Sequence, residues 1–312
     1  MKIILSLFLL SFSSYFVNAQ GCSDAGVCTI GNFYANHPGA SRKALHKNEI
    51  DLSYTYGTHL SNERFYQPQL NYRYIKNEKT FFEIRVPLSS AKNTSSGIST
   101  TGIGDITTTY NSKINIKKKH IVDYALGLRI SLSNADKKDD KSTLSYPMTL
   151  QTGLGTTDII AAASYSLCKY LSVGTGLQVP VLQYNKNQQF YFYNPGFGGV
   201  RGDGYRRRPD ALLKLTGHYQ AGNFKMNAGV LGIFHLGNDY YNTVDYNNNF
   251  AGKFVLENSK GTTLNWNAEL SYAITKNCMI GILYAEPFKT RTNIPDGLAR
   301  SRIISTKVTF GF

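Results

Sequence analysis

Little in this chain points to catalysis or to a membrane-spanning helix. Its 312 residues include one Trp, four Met, four Cys and six His. No Gly-x-Ser-x-Gly, His-Glu-x-x-His or Cys-x-x-Cys motif occurs, so nucleophile elbows, zincin sites and dithiol redox centres have no signature here. Beyond the first twenty residues no stretch reaches the ~20 consecutive apolar residues that a membrane helix needs, which excludes a helical bundle in lipid. Acidic residues are also scarce, 20 Asp+Glu against 34 Lys+Arg, for a formal charge of +14. In a cytosolic chain that balance would raise nucleic acid as a partner.

The N-terminus argues against the cytosol. Met1-Lys2 is a short positive region, Ile3 to Phe16 is apolar, and Val17-Asn18-Ala19 reads as a cleavage site. Residues 1–19 are therefore expected to be a signal peptide. Nucleic acid then drops out as a partner, and the basic exterior suits an anionic surface such as lipopolysaccharide. Export also implies an oxidising compartment. Cys22 and Cys28 lie close together in a Gly/Ser/Asp-rich stretch and are expected to form a disulfide, with lipidation of Cys22 as an alternative. Residues 20–48 are polar and read either as a lumen plug or as a periplasmic segment. Metal-ligand spacing is lacking, and neither a metal nor a cofactor is expected.

What the chain has in excess is tyrosine, 22 residues, within an aromatic content of 13%. Tyr favours strands and joins an apolar body to a polar tip. From residue 49 onward the sequence alternates. Ile50, Leu52, Tyr54, Tyr56 and Leu60 share one face, and Asp51, Ser53, Thr55 and His59 the other. Ile121–Leu132, Thr263–Ala273 and Ser301–Phe312 repeat the pattern. Period-2 alternation places successive side chains on opposite faces of a strand. Twelve such runs can be counted, most of them near the ~9–11 residues of a tilted membrane-crossing strand.

The connections alternate too. Short ones are 76–79, 117–120, 168–169, 221–223 and 274–277. Long ones are 89–104, 133–157, 182–209, 237–262 and 286–300. Short periplasmic turns and long extracellular loops are the habit of transmembrane barrels. The expected fold is thus all-β: a transmembrane antiparallel up-and-down barrel of about 12 strands over residues 49–312, with both termini periplasmic. The final strand ends on Phe312, which resembles the C-terminal signal read by the barrel-assembly machinery.

If the apolar faces meet lipid, the charged residues between them point into the lumen. Arg73, Arg85, Asp105, Arg129, Asp158, Asp210, Lys214 and His235 are the candidates for a solute path, although a bracing ladder of ion pairs would place them the same way. In the outer loops, Tyr191, Tyr193, Arg206 and Arg207 form an aromatic and basic stretch suited to an anionic sugar or an aromatic solute, or to a loop folded over the barrel mouth. Residues 238–250 read as a plain exposed loop. Cys168 and Cys278 read as isolated small residues beside turns.

Gly102-Ile103-Gly104-Asp105, leading directly into a strand, is the sharpest local motif. With about twelve strands and a terminal Phe, it resembles the outer-membrane transporter family named for the meta pathway of phenol degradation, near the fatty-acid and aromatic-hydrocarbon channel proteins. The Tyr/Asn-rich style resembles a Bacteroidetes-type chain. The resemblance implies passive passage of small, hydrophobic or aromatic solutes through the outer membrane of a Gram-negative bacterium, and supplies no catalytic residues. Two other functions stay open: a structural or accessory barrel with a filled lumen, and an outer-membrane enzyme in which His218 or His235 meets Ser and acidic partners.

Overall fold

The computed structural model describes residues 46–59, 63–117, 120–140, 144–189, 191–194, 198–245, 247–297 and 300–312. The signal peptide, the Cys22–Cys28 pairing and the N-terminal plug or tail lie outside the described residues.

In chain order the strands are β1 (Asn48–His59), β2 (Glu63–Ile75), β3 (Thr80–Asn93), β4 (Ser99–Ile103), β5 (Ile106–Lys117), β6 (His120–Ile130), β7 (Thr156–Cys168), β8 (Leu171–Gln183), β9 (Tyr191–Asn194), β10 (Gly198–Arg206), β11 (Asp210–Ala221), β12 (Phe224–His235), β13 (Tyr240–Val244), β14 (Phe250–Val255), β15 (Gly261–Ala273), β16 (Cys278–Lys289) and β17 (Arg300–Gly311). β1, β2, β3, β5, β6, β7, β8, β11, β12, β15, β16 and β17 make the wall. All pair antiparallel, and β1 pairs with both β2 and β17, which closes the sheet. At the seam Asn48 and Phe312 exchange both backbone hydrogen bonds, at 3.1 and 2.9 Å. The wall is a twelve-stranded transmembrane barrel.

Its sidedness decides between lipid and water outside. Asp51 and Thr55 are buried while Leu52 and Tyr54 are exposed. Leu126, Leu128, Leu213, Leu215, Leu270, Ile280 and Ile282 are likewise exposed, and Leu215 and Leu270 each stand between buried polar neighbours, Lys214 and Thr216, and Glu269 and Ser271. A water-soluble barrel would turn these faces the other way. Aromatic contacts stand near both rims, Phe82–Tyr110 and Phe224–Tyr272 toward the short turns and Tyr56–Tyr66 toward the long loops. Such girdles border the apolar band of membrane barrels.

The structure changes two expectations about the connections. Residues 89–104 are not simply a long loop: β3 runs on to Asn93, and β4 pairs with its upper part from Leu88 to Lys92. β4 and β5 act as one wall strand broken at Gly104-Asp105, where the Gly104 amide donates to Pro87 at 2.8 Å. A Cβ on Gly104 would come within 2.2 Å of Ser89 Oγ, so the break needs a residue without one. Residues 238–250 are not a plain exposed loop either. They contribute β13, and Tyr241 is buried. β14, β13, β10 and β9 form a separate four-stranded sheet above the barrel, because the apolar side of these hairpins covers the segment inside the mouth.

Leu215 lies midway along β11 and faces outward. Leu215→Arg is expected to cost about 2–4 kcal/mol of folding free energy in bilayer vesicles, read by urea titration. A cost within experimental error would show that this face does not meet lipid.

Candidate functional site

The long-loop mouth is filled from within. The segment between β6 and β7 starts and ends side by side, since the Ser131 amide donates to Thr156 O at 3.0 Å. Between these points the chain folds into the lumen. Met148, Leu150, Gln151, Thr152 and Leu154 are all at most 2% exposed. Leu150 packs on Phe65, Ala91, Ala285 and Ile303, which belong to β2, β3, β16 and β17 on the far side of the barrel. Met148, Leu154 and Ala135 pack upward on Tyr205 and Tyr241 of the outer sheet.

A segment whose regular structure is one 3-10 turn, Met148–Leu150, must find side-chain partners for the rest of its backbone once it is buried. Asn and Gln side chains supply them. Asn185 donates to Leu154 O at 2.7 Å. Asn187 donates to Ala135 O at 2.9 Å and Tyr146 O at 3.0 Å. Gln151 accepts from the Lys137 amide at 2.9 Å and donates to Tyr146 O at 2.9 Å.

Under the segment lies an ionic network. Arg129 donates to Asp105 through Nε at 2.9 Å and also through Nη2. Its Nη1 stands 3.9 Å from Asp158, which in turn faces Arg207 at 3.8 Å. Arg207 bonds Asp210 and, at 3.2 Å, Asp296. Asp296 also accepts from Arg291 at 2.7 Å. His235 sits between Asp210 at 2.6 Å and Asp239 at 2.8 Å, so a ring protonated at both nitrogens has a carboxylate for each N–H. Tyr205 donates its hydroxyl to Asp239. Asp105 further accepts from the Leu154 amide at 3.3 Å, which ties the network to the inserted segment. A Cβ on Gly153 would lie 2.4 Å from Asp105 Oδ1, so glycine is what lets the two come together. Burial pushes the Asp296 carboxyl up, but Arg291 and Arg207 outweigh it and hold it below the ordinary carboxylate range. Burial and Asp239 raise the Tyr205 phenol well above its usual value, so it stays a donor.

A second polar belt lies toward the short turns. Arg73 donates to Glu83 at 2.8 Å and to Glu49, and Arg85 donates to Glu83. Lys307 donates to Glu269 at 3.1 Å. Lys214 faces the lumen and is 5% exposed. Farther along the belt, Ser172 Oγ stands 2.7 Å from His218 Nε2, His218 Nδ1 is 2.9 Å from Asn227 Oδ1, and Asn227 donates to Glu269 at 3.3 Å. This is the order of nucleophile, base and orienting amide. Ser172 is only 3% exposed, however, and the row runs on from β8 through β11 and β12 to Glu269 on β15 and, over β16, to Lys307 on β17.

Of the lumen candidates, Asp105, Arg129, Asp158, Asp210 and His235 come together at the long-loop mouth, whereas Arg73, Arg85 and Lys214 lie below. The outer-loop group separates. Arg207 points inward, is 3% exposed and is committed to acidic partners, so it does not form the expected surface for an anionic sugar. Arg206 donates to Asn185 O at 3.0 Å. Tyr191 and Tyr193 lie on β9, with Tyr193 opposite Gly199. Asp239, Asp296, Arg291, Asn185 and Asn187 were missed by the sequence reading, because they lie in aperiodic connections where no alternation marks a side chain as buried. Among the described residues no cluster of three or more His, Cys, Asp or Glu could hold a metal, and Cys168 and Cys278 are free.

An outer-membrane channel from Pseudomonas putida F1 superposes with a TM-score of 0.55 at 11% identity, covering 86% of this chain and 96% of that one. The two share a fold. The Ralstonia pickettii toluene transporter TbuX (TM-score 0.44, 11% identity, 86% and 90% covered) and the NanC porin (0.44, 12%, 85% and 100%) overlap less closely. No family model and no curated protein matches the chain.

Removing Arg129 takes a cationic partner from the buried carboxylates of Asp105 and Asp158. Arg129→Ala is expected to cost about 3–5 kcal/mol in the same urea assay. Arg302→Ala, which breaks the exposed pair with Glu286, should cost at most about 1 kcal/mol. Equal effects would refute the structural weight given to the network.

Proposed function

We propose that this chain is an outer-membrane channel for passive passage of small solutes, described here with its long-loop mouth closed. The observation that carries this reading is the inserted segment. Its two ends are hydrogen-bonded neighbours, so the segment can be displaced or removed without opening the wall. Beneath it the lumen is lined by polar and charged side chains of both signs, and at the level of the segment the wall carries an apolar patch of Phe65, Ala91, Ala285 and Ile303. That mixed wall suits a small amphipathic solute, such as an aromatic carrying a polar group, better than a large sugar. The lumen-facing charges then brace the barrel and meet the solute once the segment moves.

The long loops face outward in this reading and both termini face the periplasm. An accessory barrel that never conducts would share the filled mouth but would not open on removal of the segment. A lumen hydrolase is less well supported, since the Ser172 hydroxyl is buried within its ladder.

Replacing residues 133–154 by a short Gly/Ser turn should raise single-channel conductance in planar bilayers several-fold and admit aromatic acids in liposome swelling. Unchanged current would favour the accessory barrel. Low pH should act in the same direction as the deletion. The Asp296 carboxyl is depressed in the fold, so its contribution is complete above the ordinary carboxylate pKa of ~4 and is lost as pH falls below it.

Orientation has its own test. Asn247 is exposed in the hairpin between β13 and β14, and Cys168 is exposed at the opposite rim. A membrane-impermeant maleimide on intact cells should label Asn247→Cys and leave Cys168 unlabelled; the reverse pattern would invert the topology.

A further inference from the structure

Outside the barrel, where β13 and β14 meet the tops of β11 and β12, there is a groove of about 430 Å3. Tyr240 forms its centre. The Arg208 guanidinium lies 5.1 Å from the Tyr240 ring centroid and the Lys253 ammonium 5.0 Å from it, so the two cations stand no more than about 10 Å apart. Both side chains are exposed. The register pairs Tyr240 with Val255, two residues from Lys253, so these three share one face of the hairpin. The neighbouring Tyr241 turns the opposite way and is buried.

The groove continues the lipid-facing wall. Leu236, one residue past β12, extends the outward row of Val230 and Phe234 and is 48% exposed, and Val255 is 44% exposed. From Phe224 to Leu236 a strand rising ~3.3 Å per residue and tilted ~40° climbs about 30 Å, slightly more than the ~25 Å apolar band of a membrane barrel. Leu236 therefore sits at the upper edge of the hydrocarbon, with Arg208 and Lys253 at headgroup level. Two exposed cations held at one ring leave this face positively charged, and an anion beside them is attracted by both. Arg offers a fork of donors to phosphate oxygens and Lys a compact charge. Of the acidic side chains nearby, Asp239 is buried, accepts from the Arg208 amide at 2.7 Å and faces His235 and Tyr205, while Glu257 accepts from Asn238 at 3.0 Å; Arg208 Nε also reaches Asn238 O at 3.4 Å.

We propose that this groove binds lipid A of the outer leaflet, with one glucosamine phosphate drawn to the Arg208 and Lys253 cations and an acyl chain over Leu236 and Phe234. The proposal rests on the outward orientation of the long loops given above. An anionic headgroup joined to an alkyl chain matches the groove's two parts, cations above and apolar wall below. The site lies outside the lumen and is independent of what the channel carries.

The test is native mass spectrometry of the full detergent-solubilised chain, titrated with bisphosphorylated lipid A, dephosphorylated lipid A and phosphatidylglycerol. Arg208→Ala with Lys253→Ala should weaken lipid A binding roughly thirtyfold, at about a unit of surface attraction per cation. Dephosphorylated lipid A should bind the parent chain correspondingly weakly, and the exchanged pair Arg208→Lys with Lys253→Arg should restore most of the affinity. Parent-like binding by the double alanine variant overturns the proposal, as does phosphatidylglycerol binding as tightly as lipid A. Heat-modifiable gel migration reports that each variant is folded. The Asn247→Cys label reports orientation separately, so a failure of the groove and a failure of the topology give different results.

Discussion

A strand in lipid has no water to turn to, and every backbone N–H and C=O it carries must be paired by another strand. That constraint forces the ladder to close, and the seam between Asn48 and Phe312 is where it does. Closure dictates much else. With one face on hydrocarbon, the other must accept every polar side chain, so Asp51, Arg73, Glu83 and Lys307 are confined to a narrow interior. Their pairing follows from confinement. Charges held in a space of low polarity are stable only when each meets an opposite charge or a hydrogen-bond partner.

The same confinement explains the filled mouth. An irregular segment placed inside a barrel brings backbone groups as demanding as those of a strand. Asn185, Asn187 and Gln151 answer them one at a time, and the carboxylate of Asp105 joins the segment to the wall through the Leu154 amide. Such networks are strong when complete and costly when one member is lost. The mouth is therefore held shut by many partners together, and the loss of one is felt by the others.

Strands and polar belts were legible in advance because a membrane barrel repeats every two residues. Leu52 and Asp51 announce opposite faces from their order alone, and Arg129 and Asp158 could be assigned to the lumen before any contact was known. The partners lying in the loops could not. Asp239, Asp296 and Arg291 stand in stretches with no period, and Arg207 among Arg206 and Arg208 gives no sign that it alone turns inward. The Tyr/Asn-rich stretch at 238–250 looked like loop composition because only part of it alternates, over β13; the buried side of the hairpin is created by the segment beneath it. Long-range pairs were equally hidden: Ser172 and His218 lie 46 residues apart and meet because β8 and β11 are neighbours in the wall.

By itself, then, the sequence determined the barrel, its approximate strand count and which side chains face lipid, because period-2 alternation is a local property that lipid on one face makes obligatory. Tertiary structure alone decided that residues 148–154 enter the lumen, that Arg207 belongs to the interior, and that Arg208, Tyr240 and Lys253 meet on the outer wall. Those outcomes depend on packing between chain segments far apart in order, and no pattern within any one of them records where the others will lie.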